Sequence, residues 1–306
     1  MRNRIRFRVF GAVLLALALL ATACGDSESG GDVPDGPTIV VASANFTESQ
    51  VLAEIYAQAL EDAGYPVERR LNLGPREITT PALESNEIDL MPEYTGAMVT
   101  FLGGTASTDA QETFDALKGE LVPLGMDAPG YAPAEDKDGE VVTAETADEL
   151  GLEATSDLAQ YNGELVYGGP PECPEREFCL IGLQEVYGLD FAEFRPLDVG
   201  GPLTVQALAG GEVDVARLFT TDAAIAVNDF VLLEDDMNLH PSQNIVPVLS
   251  EEAADAYGQD LLDVLQAVND AMTTAELTDL NRRAGVEQED AAEVAADWLA
   301  DNGITG

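Results

Sequence analysis

From residue 38 onward, apolar positions follow two alternating rhythms. Thr38–Ala42 is a short apolar run that reads as a buried strand, and Val67–Leu71 and Ile88–Met91 read as the next two strands. Between the first two, Val51, Leu52, Ile55, Tyr56, Ala59 and Leu60 recur at helical spacing, and Gly64 ends the pattern. Thr47-Glu48-Ser49-Gln50 has the form of a capping box, with Thr47 as the helix N-cap. Gly74–Ser85 reads as loop plus helix, and Thr108-x-x-Gln111 caps a further helix through Phe114 and Leu117. Strand–helix–strand–helix–strand predicts a parallel sheet with crossover helices.

The same alternation resumes after a break. Asp138–Thr143 reads as a strand carrying the chain to a second lobe. Helices at Ala147–Leu150 and Asp157–Gln160, a strand at Leu165–Gly168 and a helix through Leu183–Tyr187 follow. Strand Phe194–Leu197, helix Leu203–Ala209 and strands Val213–Ala216 and Val231–Leu233 complete that half. Asn244–Leu249 is the return crossover. Ser250 caps a run of helices, Thr273-x-x-Glu276 is another capping box, and Val294, Trp298 and Leu299 give the last helix an apolar face for the first lobe. The predicted fold is α/β and two-lobed, each lobe a mainly parallel sheet flanked by helices. A chain that leaves a lobe and returns makes two hinge strands, the geometry of closure around a ligand.

An internal repeat sharpens this. Ala82–Gly96 reads ALESNEIDLMPEYTG and Ala207–Thr221 reads ALAGGEVDVARLFTT. Glu87-Ile88-Asp89-Leu90 falls on Glu212-Val213-Asp214-Val215, Tyr94 on Phe219 and Thr95 on Thr220. In open α/β sheets ligands collect outside the carboxyl ends of strands. Two such units set Tyr94 and Phe219, each just beyond its strand, across a shared cleft. The alternative is that both rings belong to the lobe cores.

Composition places the fold. Arg2, Arg4, Arg6 and Arg8 precede an apolar run, Val9–Ala23, of 15 residues, short of the ~20 that span a bilayer. Residues 1–23 therefore read as a secretory signal, and Ala21-Thr22-Ala23-Cys24 resembles a bacterial lipoprotein cleavage box. Cys24 is then the lipidated N-terminus; plain cleavage leaving a free Cys is the alternative. After Cys24, residues 25–37 are mostly Gly, Ser, Asp and Pro with almost nothing apolar, and 24–37 reads as the lipidated Cys and a flexible tether. Lobe 1 is expected over 38–138 and 244–306, lobe 2 over 139–243. Without the signal the chain carries 57 acidic against 10 basic residues, hence a formal charge of −47. Such a field excludes nucleic acid as a partner and opposes docking on anionic lipid, so membrane contact is expected through the anchor alone. The acids are spread through helices, which suits solvated surface charge and adaptation to high external salt. Cys173 and Cys179 bracket a short loop in a secreted chain, which reads as a local disulfide. With His240 the sole histidine, a zinc site is the weaker reading, and no metal or cofactor is expected.

The motifs NFTE (45–48), LNLG-x-RE (71–77) and EIDLMPEYTG (87–96) are modest singly and strong together. With them the chain resembles, over nearly all of 38–300, the glycine betaine/choline substrate-binding proteins of ABC importers, the osmoprotectant family with the type II periplasmic-binding-protein fold. The resemblance implies a cage of tyrosines around a quaternary ammonium, which has no N–H to donate, plus donors for the ligand carboxylate. Carried over by position, Tyr94 matches a cage Tyr, Phe219 keeps the ring of another, and Asp138 and Gln243 stand at two more, halving the ring count. Arg176 matches the family arginine, with Glu172 a turn before it. The family Lys before NFTE is Ala44, and the Thr after YTG is Ala97. Asn45, Thr95 and Thr220 complete the expected ligand set. Arg176 has the alternative role of bracing the disulfide loop, and Asp138 that of a solvated turn residue.

The implied protein is a lipid-anchored, monomeric, extracytoplasmic binding component. It closes on a small zwitterionic or amine osmolyte and presents it to an ABC permease and, through it, to the ATPase. A sensory or adhesive surface lipoprotein of the same fold is the alternative. An enzyme using cleft carboxylates is disfavoured: no Gly-x-Ser-x-Gly, phosphate-cradling loop or paired Cys/His set occurs.

Overall fold

A computed structural model describes residues 36–306. The expected signal segment, Cys24 and the tether up to residue 35 lie outside the described residues. Strands run in chain order as β1 (Ile39–Ala42), β2 (Val67–Arg70), β3 (Leu90–Tyr94), β4 (Met126–Asp127), β5 (Asp138–Thr143), β6 (Val166–Gly169), β7 (Glu193–Pro196), β8 (Val215–Phe219), β9 (Phe230–Leu232) and β10 (Ile245–Ser250). They form two sheets, ordered β2-β1-β3-β10-β4 and β7-β6-β8-β5-β9.

The two sheets share one plan. In the first, β1 is parallel to β2 and β3, while β10 lies antiparallel between β3 and β4. In the second, β6 is parallel to β7 and β8, while β5 lies antiparallel between β8 and β9. In each sheet four of the five strands run the same way, mainly parallel as expected, and the fifth is the crossover strand. The strand arriving from the other half enters next to the edge strand and runs the opposite way.

The repeated Glu-x-Asp has a structural cause. Asp89 accepts the Val40 N–H at 2.9 Å through Oδ2, and its own N–H donates to Val40 C=O at 2.8 Å. Asp214 does the same to Val166, at 2.7 and 2.9 Å. Glu87 and Glu212 each donate their N–H to the equivalent alanine carbonyl of the preceding helix end, Ala82 at 2.9 Å and Ala207 at 2.8 Å. Because each Asp clips the turn to the neighbouring strand, β3 and β8 begin only after it. They start two residues later than the apolar runs suggest, and Tyr94 and Phe219 are their last residues rather than the residues beyond them.

Two caps differ from expectation. Phe46, not Thr47, is the N-cap of helix Thr47–Asp62, and the Ser49 hydroxyl accepts the Ala44 N–H at 2.9 Å just ahead of it. Asp109, not Thr108, caps helix Ala110–Leu121 by accepting the Glu112 N–H at 2.9 Å; a carboxylate is the stronger acceptor at that site. Ser250 and Thr273 cap as expected, the latter reciprocally with Glu276. Buried Leu83, Ile88, Met91, Met98, Leu117, Val246 and Val248 fill one face of the first sheet. Tyr167, Leu183, Val215 and the two cysteines fill one face of the second. Val294, Trp298 and Leu299 bury the face of helix Ala291–Asp301, which packs on Thr47–Asp62. No helix of the described residues is long and apolar enough to cross a membrane.

Candidate functional site

A cavity of about 360 Å³ opens between the two sheets. Asn45 follows β1, Tyr94 ends β3, Pro170 follows β6 and Phe219 ends β8, and all four line it. It therefore sits at the carboxyl ends of the parallel strands of both sheets, where side chains from opposite halves converge.

Aromatic faces make one wall. Phe46 lies between the two repeat rings, 6.1 Å from Tyr94 and 5.5 Å from Phe219 by ring centroids, stacked on each. Phe101 and Phe178 also line the cavity. The YTG glycine has a steric role here: a Cβ on Gly96 would come within 2.5 Å of the Ser242 carbonyl oxygen, against the segment that carries Gln243.

Arginine–carboxylate pairs line the same cavity. Arg76 Nη2 donates to Glu93 Oε2 at 2.7 Å and Nε reaches the same carboxylate at 3.0 Å. Arg217 Nε donates to Asp138 Oδ1 at 2.9 Å, with Nη2 on Oδ2 of the same group. Burial alone would lower both guanidinium values, but the adjoining carboxylates hold them raised, so both arginines stay charged. Neither pair uses every N–H of its guanidinium. Arg176 Nη2 binds Glu77 at 2.7 and 2.9 Å and its guanidinium lies 5.4 Å from the Phe101 ring centroid.

Beneath the rings lies a buried acid cluster drawn from distant parts of the chain. Glu48 accepts from Tyr94 Oη and from Asn281 Nδ2, each at 2.5 Å, and lies 3.0 Å from Thr221 Oγ1, whose one proton goes to the nearer Asp136. Asp136 Oδ1 accepts from the Thr221 hydroxyl at 2.7 Å and its N–H at 3.1 Å. Burial pushes both carboxyls above their ordinary range, Asp136 well above, with Glu48 as its second cause; the hydroxyl and amide donors only partly offset this. A second cavity of about 240 Å³ shares Phe46, Gly200 and Phe219 and is lined by Asp222, whose carboxyl burial raises to about 6.

Comparison with known proteins decides the family. The family model described as the substrate binding domain of an ABC-type glycine betaine transport system matches residues 37–301. The chain belongs to this family. It is the solute-binding component of a transport system, and the family is not one of enzymes. The chain is 29% identical over 281 residues to the glycine betaine-binding protein YehZ of Escherichia coli, covering 87% of this chain and 91% of that one. It is 26% identical over 302 residues to the carnitine transport binding protein OpuCC of Listeria monocytogenes, 96% of each chain. Among solved structures, a glycine betaine/carnitine/choline ABC transporter protein superposes with a TM-score of 0.70 at 24% identity, covering 87% of this chain and 99% of that chain. Apo YehZ superposes at 0.63 with 28% identity, covering 88% and 99%.

Against the positions expected from this family, Asn45, Tyr94, Asp138, Glu172, Arg176, Phe219 and Gln243 all line the cavity, as do Ala44 and Ala97. Thr95 and Thr220 do not. The Thr95 hydroxyl donates to Ser242 C=O at 3.2 Å and accepts the Asn244 N–H at 3.1 Å; Thr220 Oγ1 accepts the Lys137 N–H at 3.0 Å. Both bind the crossover segments, so their repeat is one of hinge construction. Asp138 is neither a solvated turn residue nor a free partner for an ammonium, since Arg217 occupies it. Gln243 turns its Oε1 to the Ala97 N–H at 2.9 Å. Cys173 and Cys179 are disulfide-bonded, with their Cα atoms 5.3 Å apart. Arg176 turns to Glu77 and Phe101, away from a purely local role in bracing that loop.

Sequence reasoning missed Phe46, Arg76, Glu93, Asp136 and Arg217. Phe46, Arg76 and Glu93 lie inside the three quoted motifs. Arg217 is a charge in a buried apolar strand, at the repeat position of Pro92, and that anomaly was the available signal.

Proposed function

We propose that this chain is a secreted, lipid-anchored, monomeric receptor that closes on a small zwitterionic compatible solute and delivers it to an ABC permease and its ATPase. Residues 1–23 are its signal, Cys24 its lipidated end, and 24–37 its tether; lobe 1 is 38–138 with 244–306, and lobe 2 is 139–243. One observation carries the solute class. Phe46 and Tyr94 from one half and Phe219 from the other line a cavity that Arg76 and Arg217 line as well. A cationic head belongs against the rings. A carboxylate belongs on the N–H groups that the two arginines have left over, with Asn45, Arg176 and Gln243 around it and Glu172 on the same cavity, toward the cationic head. The names of the relatives, glycine betaine-binding and carnitine-binding, support the same class.

The test is a calorimetric panel of glycine betaine, choline, carnitine, proline and ectoine at low and high salt, with Tyr94→Ala as control. The expected result is binding of at least one zwitterion that Tyr94→Ala weakens. Binding of none of them refutes the solute class and leaves the fold untouched.

A further inference from the structure

Phe46 joins the two repeat rings. Its ring centre lies 6.1 Å from that of Tyr94 and 5.5 Å from that of Phe219, stacked on each, and among the described residues no ring contact links Tyr94 to Phe219 directly. A cation binds the face of a ring, within about 6 Å of its centre. With a ring stacked on either side, Phe46 has its own faces covered. Its centre also stands at the distances that a cation held between Tyr94 and Phe219 would keep. A cationic head that used both repeat rings at once would therefore have to take the place of Phe46.

The ring has room to move. Phe46, Val199, Gly200 and Phe219 line both the first cavity and the second. The second has about 240 Å³, and a cavity of about 150 Å³ already takes a benzene ring. Val199, Pro202, Val205 and Val286 give it an apolar lining. The backbone leaves the side chain free to turn as well. Phe46 is the extended N-cap of helix Thr47–Asp62, at φ −140° and ψ 158°, so no preceding helical turn restricts its χ1. It is half-buried rather than sealed in the core.

We propose that Phe46 is a displaceable plug: its ring fills the place of the solute's cationic head between Tyr94 and Phe219, and binding moves it toward the second cavity. This rests on the solute-receptor reading above and deepens it, assigning the head to the two repeat rings and making Phe46 its competitor. A third ring that itself held the cation would give the opposite sign when the side chain is removed.

The test is calorimetry on the native chain and on Phe46→Ala. The probe is whichever of glycine betaine, choline, carnitine, proline and ectoine the native chain binds most tightly. In the native chain the head must break two ring stacks to enter; in Phe46→Ala it breaks none. The expected result is at least fivefold tighter binding by Phe46→Ala. A gain below fivefold, or any loss, overturns the plug while the solute-receptor reading stands. Binding of no panel compound by the native chain overturns both. Phe46→Leu keeps apolar bulk against the core of the first sheet, on which Phe46 packs, and lacks the ring. Should Phe46→Ala fail to fold, Phe46→Leu decides in its place: tighter binding than the native chain supports the plug, and equal or weaker binding overturns it.

Discussion

Arg176 and Glu77 stand 99 residues apart and meet Nη2 to Oε1 at 2.7 Å and to Oε2 at 2.9 Å. Glu77 belongs to helix Arg76–Glu84 beside the first sheet, and Arg176 follows the short turn Cys173–Glu175 beside the second. The contact therefore joins the two halves directly. Glu77 is half-exposed, so solvent screens the pair and its worth is about 1 kcal/mol or less.

That bound separates two roles for Arg176. As a latch between halves, its loss and the loss of Glu77 should cost about the same. Glu77→Gln and Arg176→Ala are each expected to weaken solute binding by less than about fivefold, corresponding to about 1 kcal/mol. Calorimetry on both variants checks this. A loss of a hundredfold in Arg176→Ala alone would return the ligand carboxylate to Arg176.

Tyr94 serves the cavity with its ring and the buried acids with its hydroxyl, and two substitutions divide those tasks. Tyr94→Phe keeps the face toward Phe46 but removes the donor to Glu48 at 2.5 Å. It is expected to lower stability by about 1–2 kcal/mol and change solute affinity less than threefold. Tyr94→Ala removes the face as well and should weaken binding roughly tenfold, within the range of one cation–π contact. Chemical denaturation and calorimetry on the pair separate the effects.

The duplicated architecture is legible in the sequence because its causes are local. Apolar runs mark the strands, and Glu-x-Asp marks the turn that Asp89 and Asp214 clip to Val40 and Val166. The cavity is legible where it lies in the repeat, at Tyr94 and Phe219. It is illegible where partners come from afar. Nothing near Arg217 announces Asp138 across β5 and β8, and nothing near Asp136 announces that Thr221 would saturate one oxygen and leave the other bare. Thr95 and Thr220 mislead for the opposite reason: their repetition is real, but it serves the hinge backbone rather than the ligand.

Past residue 23 the chain carries 57 acidic against 10 basic residues, and this bears on salt. Like charges spread over the surface repel within a Debye length, about 10 Å at 0.1 M and 3 Å at 1 M. The melting temperature is expected to rise between low and molar sodium chloride, as screening relieves that repulsion. A scan in which it stays level or falls would remove salt adaptation as the reason for the composition.

Proton linkage gives the last expectation, and its sign is opposite to that of ordinary salt-bridged carboxylates. Glu48, Asp136 and Asp222 all lie above their ordinary values because of burial, and Asp222 is pushed up to about 6. A carboxyl whose folded value exceeds its unfolded value holds more protons folded than unfolded. Its contribution to stability is therefore present at low pH and is lost as pH rises from the unfolded value, near 4, through the folded one. For Asp222 the change between pH 5 and pH 7 is about 1 kcal/mol, with Glu48 and Asp136 acting in the same direction. The unliganded protein is expected to resist urea better at pH 5 than at pH 7, and Asp222→Asn should remove about 1 kcal/mol of that difference. Relief of the general negative charge acts in the same direction at low pH, so the variant, and not the native profile alone, isolates the buried group. An Asp222→Asn profile parallel to that of the native chain would mean that Asp222 titrates at its ordinary value and that its burial beside Phe219 and Gly200 costs it nothing.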